Sequence, residues 1–193
     1  MLTIVTPPAD IVTLAEAKAH LRVTGALDDA LISGFIKAAT QRLDGRDGFL
    51  GRALGTQTWK LTLDQFLPAI SIPLPPCQSI TEIKYVDPIG DLQTMQPGDY
   101  QVSGLGGSEP AIIRPAFGRT WPSTMRIVEV ISITFVAGYG LATSVPEPIR
   151  NAILMHVGHL YEHRESVTLG TGFITETPHG YRDAITDYRQ WAF

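Results

Sequence analysis

Helix signals at both ends of the chain and strand signals in its middle predict an α+β protein. The expected form is a small helical bundle built from both chain ends, with an inserted, mostly antiparallel β-domain. Three observations carry this. Apolar residues recur at helical spacing in the first fifty residues and again after Pro146. From Thr56 the period switches to two. Glycine and proline then punctuate the stretch between, at intervals that suit short strands. The predicted division is 1–55 for the first helical part, 56–137 for the β-rich insert, 138–166 for the second helical part, and 167–193 for a tether and C-terminal docking arm.

Thr13-Leu14-Ala15-Glu16 has the form of a capping box, with Leu14, Ala17 and Leu21 forming one face of a helix to about Arg22. Asp28-Asp29 opens a second helix, where two carboxylates meet the positive end of its dipole. Leu31, Ile32, Phe35, Ile36, Ala39 and Leu43 give it a broad apolar face. Trp59, Leu61 and Leu63 alternate with Thr58, Lys60 and Thr62, which marks a strand with one buried face. Further strands are expected at 69–74, 80–86, 92–95, 100–102, 111–114 and 126–136, the last running through the centre of the sheet. Pro146-Glu147-Pro148 opens a third helix with its buried stripe on Ile149, Ala152, Ile153, Val157 and Leu160. A long Thr- and Gly-rich loop, 165–180, precedes a last amphipathic segment, Tyr181 to Phe193.

Composition narrows the function classes. The 193 residues are 44% apolar and 18% charged, which excludes a disordered chain and a collagen-like repeat. Net charge is −4, unlike the strongly basic balance of a free-standing nucleic-acid binder. The basic set is 11 Arg against 4 Lys, a bias that fits planar contacts at protein interfaces as well as it fits a codon bias. One cysteine, Cys77, excludes an intramolecular disulfide and any multi-cysteine zinc site. The first residues lack the cationic and long apolar regions of a signal peptide, and no stretch reaches the ~20 apolar residues of a spanning helix.

No catalytic constellation stands out, and neither cofactor nor metal is expected. His156, His159 and His163 fall at i, i+3 and i+7 on the third helix, a spacing from which a pair can chelate a metal. Without a His-Glu-x-x-His pattern they read better as a polar stripe than as the centre of a metal-dependent enzyme. Ser103-Gly104-Leu105-Gly106-Gly107-Ser108 lacks the Lys-Ser/Thr ending of a phosphate-binding loop and reads as a turn between strands. Cys77 reads as a small apolar filler. The C-terminal segment carries the most information. Tyr181, Ile185, Tyr188 and Trp191 share one helical stripe, with Arg182 and Arg189 beside them and Phe193 at the end. Aromatic and arginine side chains anchor interfaces, so this segment either docks on its own core or acts as an arm that docks on a neighbour.

The chain as a whole resembles the head–tail connector (adaptor) proteins of tailed bacteriophages and gene transfer agents. The residues that carry the likeness are Leu14-Ala15-Glu16-Ala17-Lys18-Ala19-His20-Leu21-Arg22-Val23, then Asp28-Asp29-Ala30-Leu31-Ile32. Thr58-Trp59, Ile83-Lys84-Tyr85-Val86-Asp87 and Trp121-Pro122 follow. The last are Phe135-Val136-Ala137-Gly138-Tyr139-Gly140, Val145-Pro146 and Leu160-Tyr161-Glu162-His163-Arg164-Glu165. The resemblance implies a structural virion protein, not an enzyme. It would form a ring, twelvefold in the virion, under the portal protein. That ring extends the DNA channel, through which DNA passes without sequence-specific binding, and presents a surface to stopper or tail proteins. A stopper or tail-completion neck protein is the alternative within the same class. The implied location is the virion neck, after synthesis in the host cytoplasm and without membrane contact. Tyr181, Arg182, Ile185, Tyr188, Arg189, Trp191 and Phe193 are the candidate portal- or partner-binding residues.

Overall fold

A computed structural model describes residues 1–163 and 184–190. They form a mixed α+β fold with antiparallel sheets, in two compact units. One unit holds Met1–Ala9 and Arg52–Gly140; the other holds Asp10–Gly51 with the described residues from Leu141 onward.

In the β unit, eight strands form two sheets. They are β1 (Leu2–Thr6), β2 (Gln57–Leu63), β3 (Ile70–Ile72), β4 (Cys77–Val86), β5 (Leu92–Thr94), β6 (Tyr100–Ser103), β7 (Ala111–Pro115) and β8 (Ile131–Ala137). The larger sheet runs β1-β2-β8-β4-β5 and the smaller β3-β7-β6. Every pairing is antiparallel. Strand β8 takes the central place that its alternation predicts. Ile131, Ile133, Phe135 and Ala137 are buried, while Ser132, Thr134 and Val136 are half-exposed. The buried set meets Ile70, Ile72, Ala111 and Ile113 of the smaller sheet, so the two sheets share one core. Cys77 is part of that core as a buried free thiol, which burial pushes up to a pKa of about 11.

Two sequence expectations change here. Residues 1–55 do not all join the helical part, because Leu2–Thr6 forms β1 at the edge of the larger sheet, with Ile4 opposite Trp59. The run from Arg126 is not strand until Ile131. Glu129 sits at φ 54, and its N–H turns to the Asp64 carboxylate instead of a ladder partner.

The helical unit contains α1 (Leu14–Leu21), α2 (Asp29–Leu43) and α3 (Glu147–Glu162), with a 3-10 turn at Ala142–Ser144. The capping box forms as the sequence indicates. Thr13 Oγ1 accepts from the Glu16 N–H at 3.2 Å, and the Thr13 N–H donates to the Glu16 carboxylate at 2.7 Å. Ile32, Ile36, Ala39 and Leu43 of α2 and Ile149, Ala152, Ile153 and Val157 of α3 are the buried stripes. Asp28 makes no side-chain cap bond; its carboxylate accepts the Tyr161 hydroxyl at 2.6 Å, tying the start of α2 to the end of α3. Among the described residues no helix is long and apolar enough to cross a membrane.

Candidate partner-docking site

The candidate site is built on the helical unit. Its frame is a set of half-buried and exposed ionic contacts within and between helices. Lys18 of α1 meets Asp29 of α2 at 2.5 Å. Arg150 of α3 holds Glu147 at 2.7 Å and also Glu16 of α1. With only 15% of its side chain exposed, Arg150 sits where the dielectric is reduced, and two carboxylates offset the cost of burying it. Hydrogen bonds from the Thr13 backbone N–H and hydroxyl, reinforced by Arg150, hold the Glu16 carboxyl below its ordinary range.

The described part of the C-terminal segment belongs to the same unit. Residues 184–186 make a single helical turn, closed by Tyr188 N–H to Ile185 C=O at 3.0 Å and Arg189 N–H to Thr186 C=O at 3.0 Å. Ile185 is fully buried. Tyr188, Arg189 and Gln190 are half-buried. Two contacts pin the segment to the turn that follows α2. The Gln190 N–H donates to the Leu50 C=O at 2.8 Å, and the Arg189 guanidinium lies 4.9 Å above the Phe49 ring. That turn is itself tied to α2, with the Phe49 N–H on the Arg42 C=O and the Leu50 N–H on the Leu43 C=O.

Of the sequence-predicted docking residues, the structure therefore places Ile185, Tyr188 and Arg189 on the chain's own helical unit. Tyr181, Arg182, Trp191 and Phe193 lie outside the described residues, as does the tether at 164–180. Sequence reasoning missed Phe49 and Leu50. The one signal for them is an apolar pair just after Gly48, and nothing in spacing links it to a segment 140 residues later. Ile185 faces inward, while Tyr188 and Arg189 remain half-exposed.

The other candidates resolve simply. His159 and His163 stack at 4.6 Å between ring centres. His156 is held below its ordinary pKa by burial first, then by Arg42 and His159. No group of three metal-ligating side chains converges among the described residues. The glycine-rich loop joins β6 to β7, with the Gly106 N–H on the Cys77 C=O at 2.7 Å.

The motif around Gly138 closes the β unit. The Gly138 N–H donates to the Pro76 C=O at 2.8 Å, and Gln78 Nε2 donates to the Gly138 C=O at 2.8 Å. Tyr139 donates its N–H to the Leu54 C=O, and its hydroxyl accepts from Arg52 at 3.3 Å.

Comparison with known proteins agrees with this fold. Residues 11–85 match the family model of phage gp6-like head-tail connector proteins. No curated protein sequence matches the chain. Among solved structures, a chain from the neck of an empty gene transfer agent particle, computed with C6 symmetry, aligns at a TM-score of 0.78 and 22% identity. A chain from the virion of a native gene transfer agent particle aligns at 0.76 and 23%. One from the neck of a native particle, computed with C12 symmetry, aligns at 0.70 and 21%. Each alignment covers 100% of this chain and 97% of the other. Residues 11–85 are thus similar to the phage gp6-like head-tail connector proteins, and the fold along the full length is that of the gene transfer agent neck and virion chains.

Proposed function

We propose that this chain is a structural neck protein of a phage-like particle, a head–tail connector that forms a ring beneath the portal. In this reading the helical unit is a bundle assembled from the stretches on either side of residues 52–140, and those residues with Met1–Ala9 make the β unit. The ring, twelvefold in the virion, extends the DNA channel and presents its far side to a stopper or tail protein. The segment from Tyr181 to Phe193 is the docking arm, with Tyr188 and Arg189 its half-exposed described residues. A net charge of −4 suits a channel that lets DNA slide, since few cations are offered to the phosphate backbone.

The observation that carries the reading is the conjunction of two likenesses. The connector-family match covers residues 11–85, and the fold matches neck chains solved with sixfold and twelvefold symmetry along its whole length. The test is negative-stain electron microscopy of the purified chain mixed with portal rings. A connector adds a ring directly to the portal. A chain that binds only after another adaptor is present is a stopper instead, and one that binds neither contradicts the reading. Tyr188→Ala with Arg189→Ala should fold normally and lose portal binding at least tenfold; unchanged binding would remove the arm from the account.

A further inference from the structure

The loop end of the β unit, opposite Gln57, Cys77 and Ala137, is unusually apolar. Phe117 is 102% exposed, Ile89 84% and Val128 78%; Leu92 and Ile127 are also exposed. Their loops converge on the ends of β4 and β8. The Met125 N–H donates to the Val86 C=O at 3.0 Å, and the Val86 N–H donates to the Val130 C=O at 3.0 Å. Ile89 and Leu92 belong to the turn and strand that follow Val86. Trp121, in the loop that carries Phe117, stacks on Phe66 at 4.7 Å, and Phe66 meets Tyr85 of β4 edge-on.

These are not loose loops. The Asp87 carboxylate accepts the N–H groups of Ile89 and Asp91 and the Gln93 amide, and Trp121 Nε1 donates to the Leu67 C=O at 2.7 Å. The apolar side chains are thus presented on a fixed scaffold, which lowers the ordering cost of docking. They add nothing to the core, and a monomer rarely leaves such a patch in water. Five exposed apolar side chains on neighbouring loops are more than the single scattered ones an ordinary surface carries. Charges of both signs lie in the same loops, with Arg119 and Asp99 paired at 4.0 Å, which suits a protein surface better than a polyanion.

A complementary surface lies on the same unit. Strand β1 is an edge strand with an open row of backbone groups and no charged residue, and Ile4 and Val5 on it are exposed. Edges of that kind are normally blunted with charge or covered. Tip and edge are different surfaces, so their contact is head to tail, the arrangement that closes into rings. We infer that the loop end of the β unit packs against strand β1 of a second copy of this chain. The inference rests on the connector reading for the ring, but it is tested without the portal.

The experiment is sedimentation velocity on the full chain up to millimolar concentration, with Val128→Glu and Val5→Glu. Both sites are exposed, and circular dichroism checks that both variants fold. The wild type should form oligomers that grow with concentration, and each variant alone should stay monomeric. An equimolar mixture of the two should stop at dimers, because only one intact tip meets one intact edge. A wild type that stays monomeric throughout overturns the inference while leaving portal binding, and so the connector reading, untouched. A Val5→Glu chain that assembles like wild type, or a mixture that stays monomeric, overturns it as well.

Discussion

Replacing Gly138 with alanine should unfold the β unit more readily than any conservative change on its surface. Gly138 adopts φ +113, and a Cβ there would stand 2.0 Å from the Gly55 carbonyl oxygen and 3.0 Å from the Thr56 nitrogen. Both are backbone atoms of the strand entry, so no side chain can swing away. Relief requires Gly138 to move, and its bonds to Pro76 and Gln78 move with it. The unfavourable φ costs about 1–3 kcal/mol and the forced backbone shift about as much again, so about 3–5 kcal/mol is expected in total. Gly90 is the internal control. It sits at φ +99 in open space, so Gly90→Ala carries only the torsional part, about 1–2 kcal/mol. In urea unfolding followed by circular dichroism, a slope of about 2 kcal/mol/M turns these into midpoint losses of about 2 M and less than about 1 M. Equal midpoints for the two variants would refute the close-approach argument.

Other predictions follow from single contacts. Ile185→Ala should destabilise the helical unit by about 2–4 kcal/mol, since the residue is fully buried, and faster hydrogen exchange at Gln190 would mark the release of the segment from Leu50. Thr13→Ala removes the capping box and should cost about 1 kcal/mol in the same unfolding assay. Glu16 has a lower pKa folded than unfolded, so its contribution is full above the unfolded value and is lost as pH falls through the folded one. Glu16→Gln should therefore lower stability at neutral pH and flatten the loss of stability below about pH 4.5; an unchanged acid limb would count against the ion network. With a pKa of about 11, Cys77 should react with a thiol reagent at pH 8 only slowly in the folded chain and at the rate of a free thiol in urea.

Much of the architecture is legible in the sequence because it is written in local periods. Thr13 and Glu16 announce α1 through a reciprocal bond three residues apart, and the alternation of Trp59, Leu61 and Leu63 needs only the pleat of a strand. Strand β1 is different. Leu2–Thr6 is five residues ending at two prolines, and it becomes a strand only because β2, more than fifty residues on, presents a free edge. The overextension of β8 has the opposite cause. Ile127 and Val128 look like strand residues, but Glu129 takes a left-handed conformation and Asp64 captures its N–H. At the candidate site the stripe containing Ile185 and Tyr188 was visible as a period. Its direction was not, because a period does not say whether the apolar face covers Leu50 and its neighbours or a different protein. Gly138 was visible as part of a motif, while the reason for glycine, a carbonyl from the strand entry 2.0 Å from the absent Cβ, exists only in the folded chain.

The central claim is that this chain sits directly against the portal in the neck. A cryo-electron-microscopy reconstruction of portal-containing particles assembled with the wild-type chain tests it most directly. The account predicts a closed ring of this fold in contact with the portal, with the C-terminal segment reaching the portal surface. A neck from which the chain is absent, or in which another protein separates it from the portal, would contradict it.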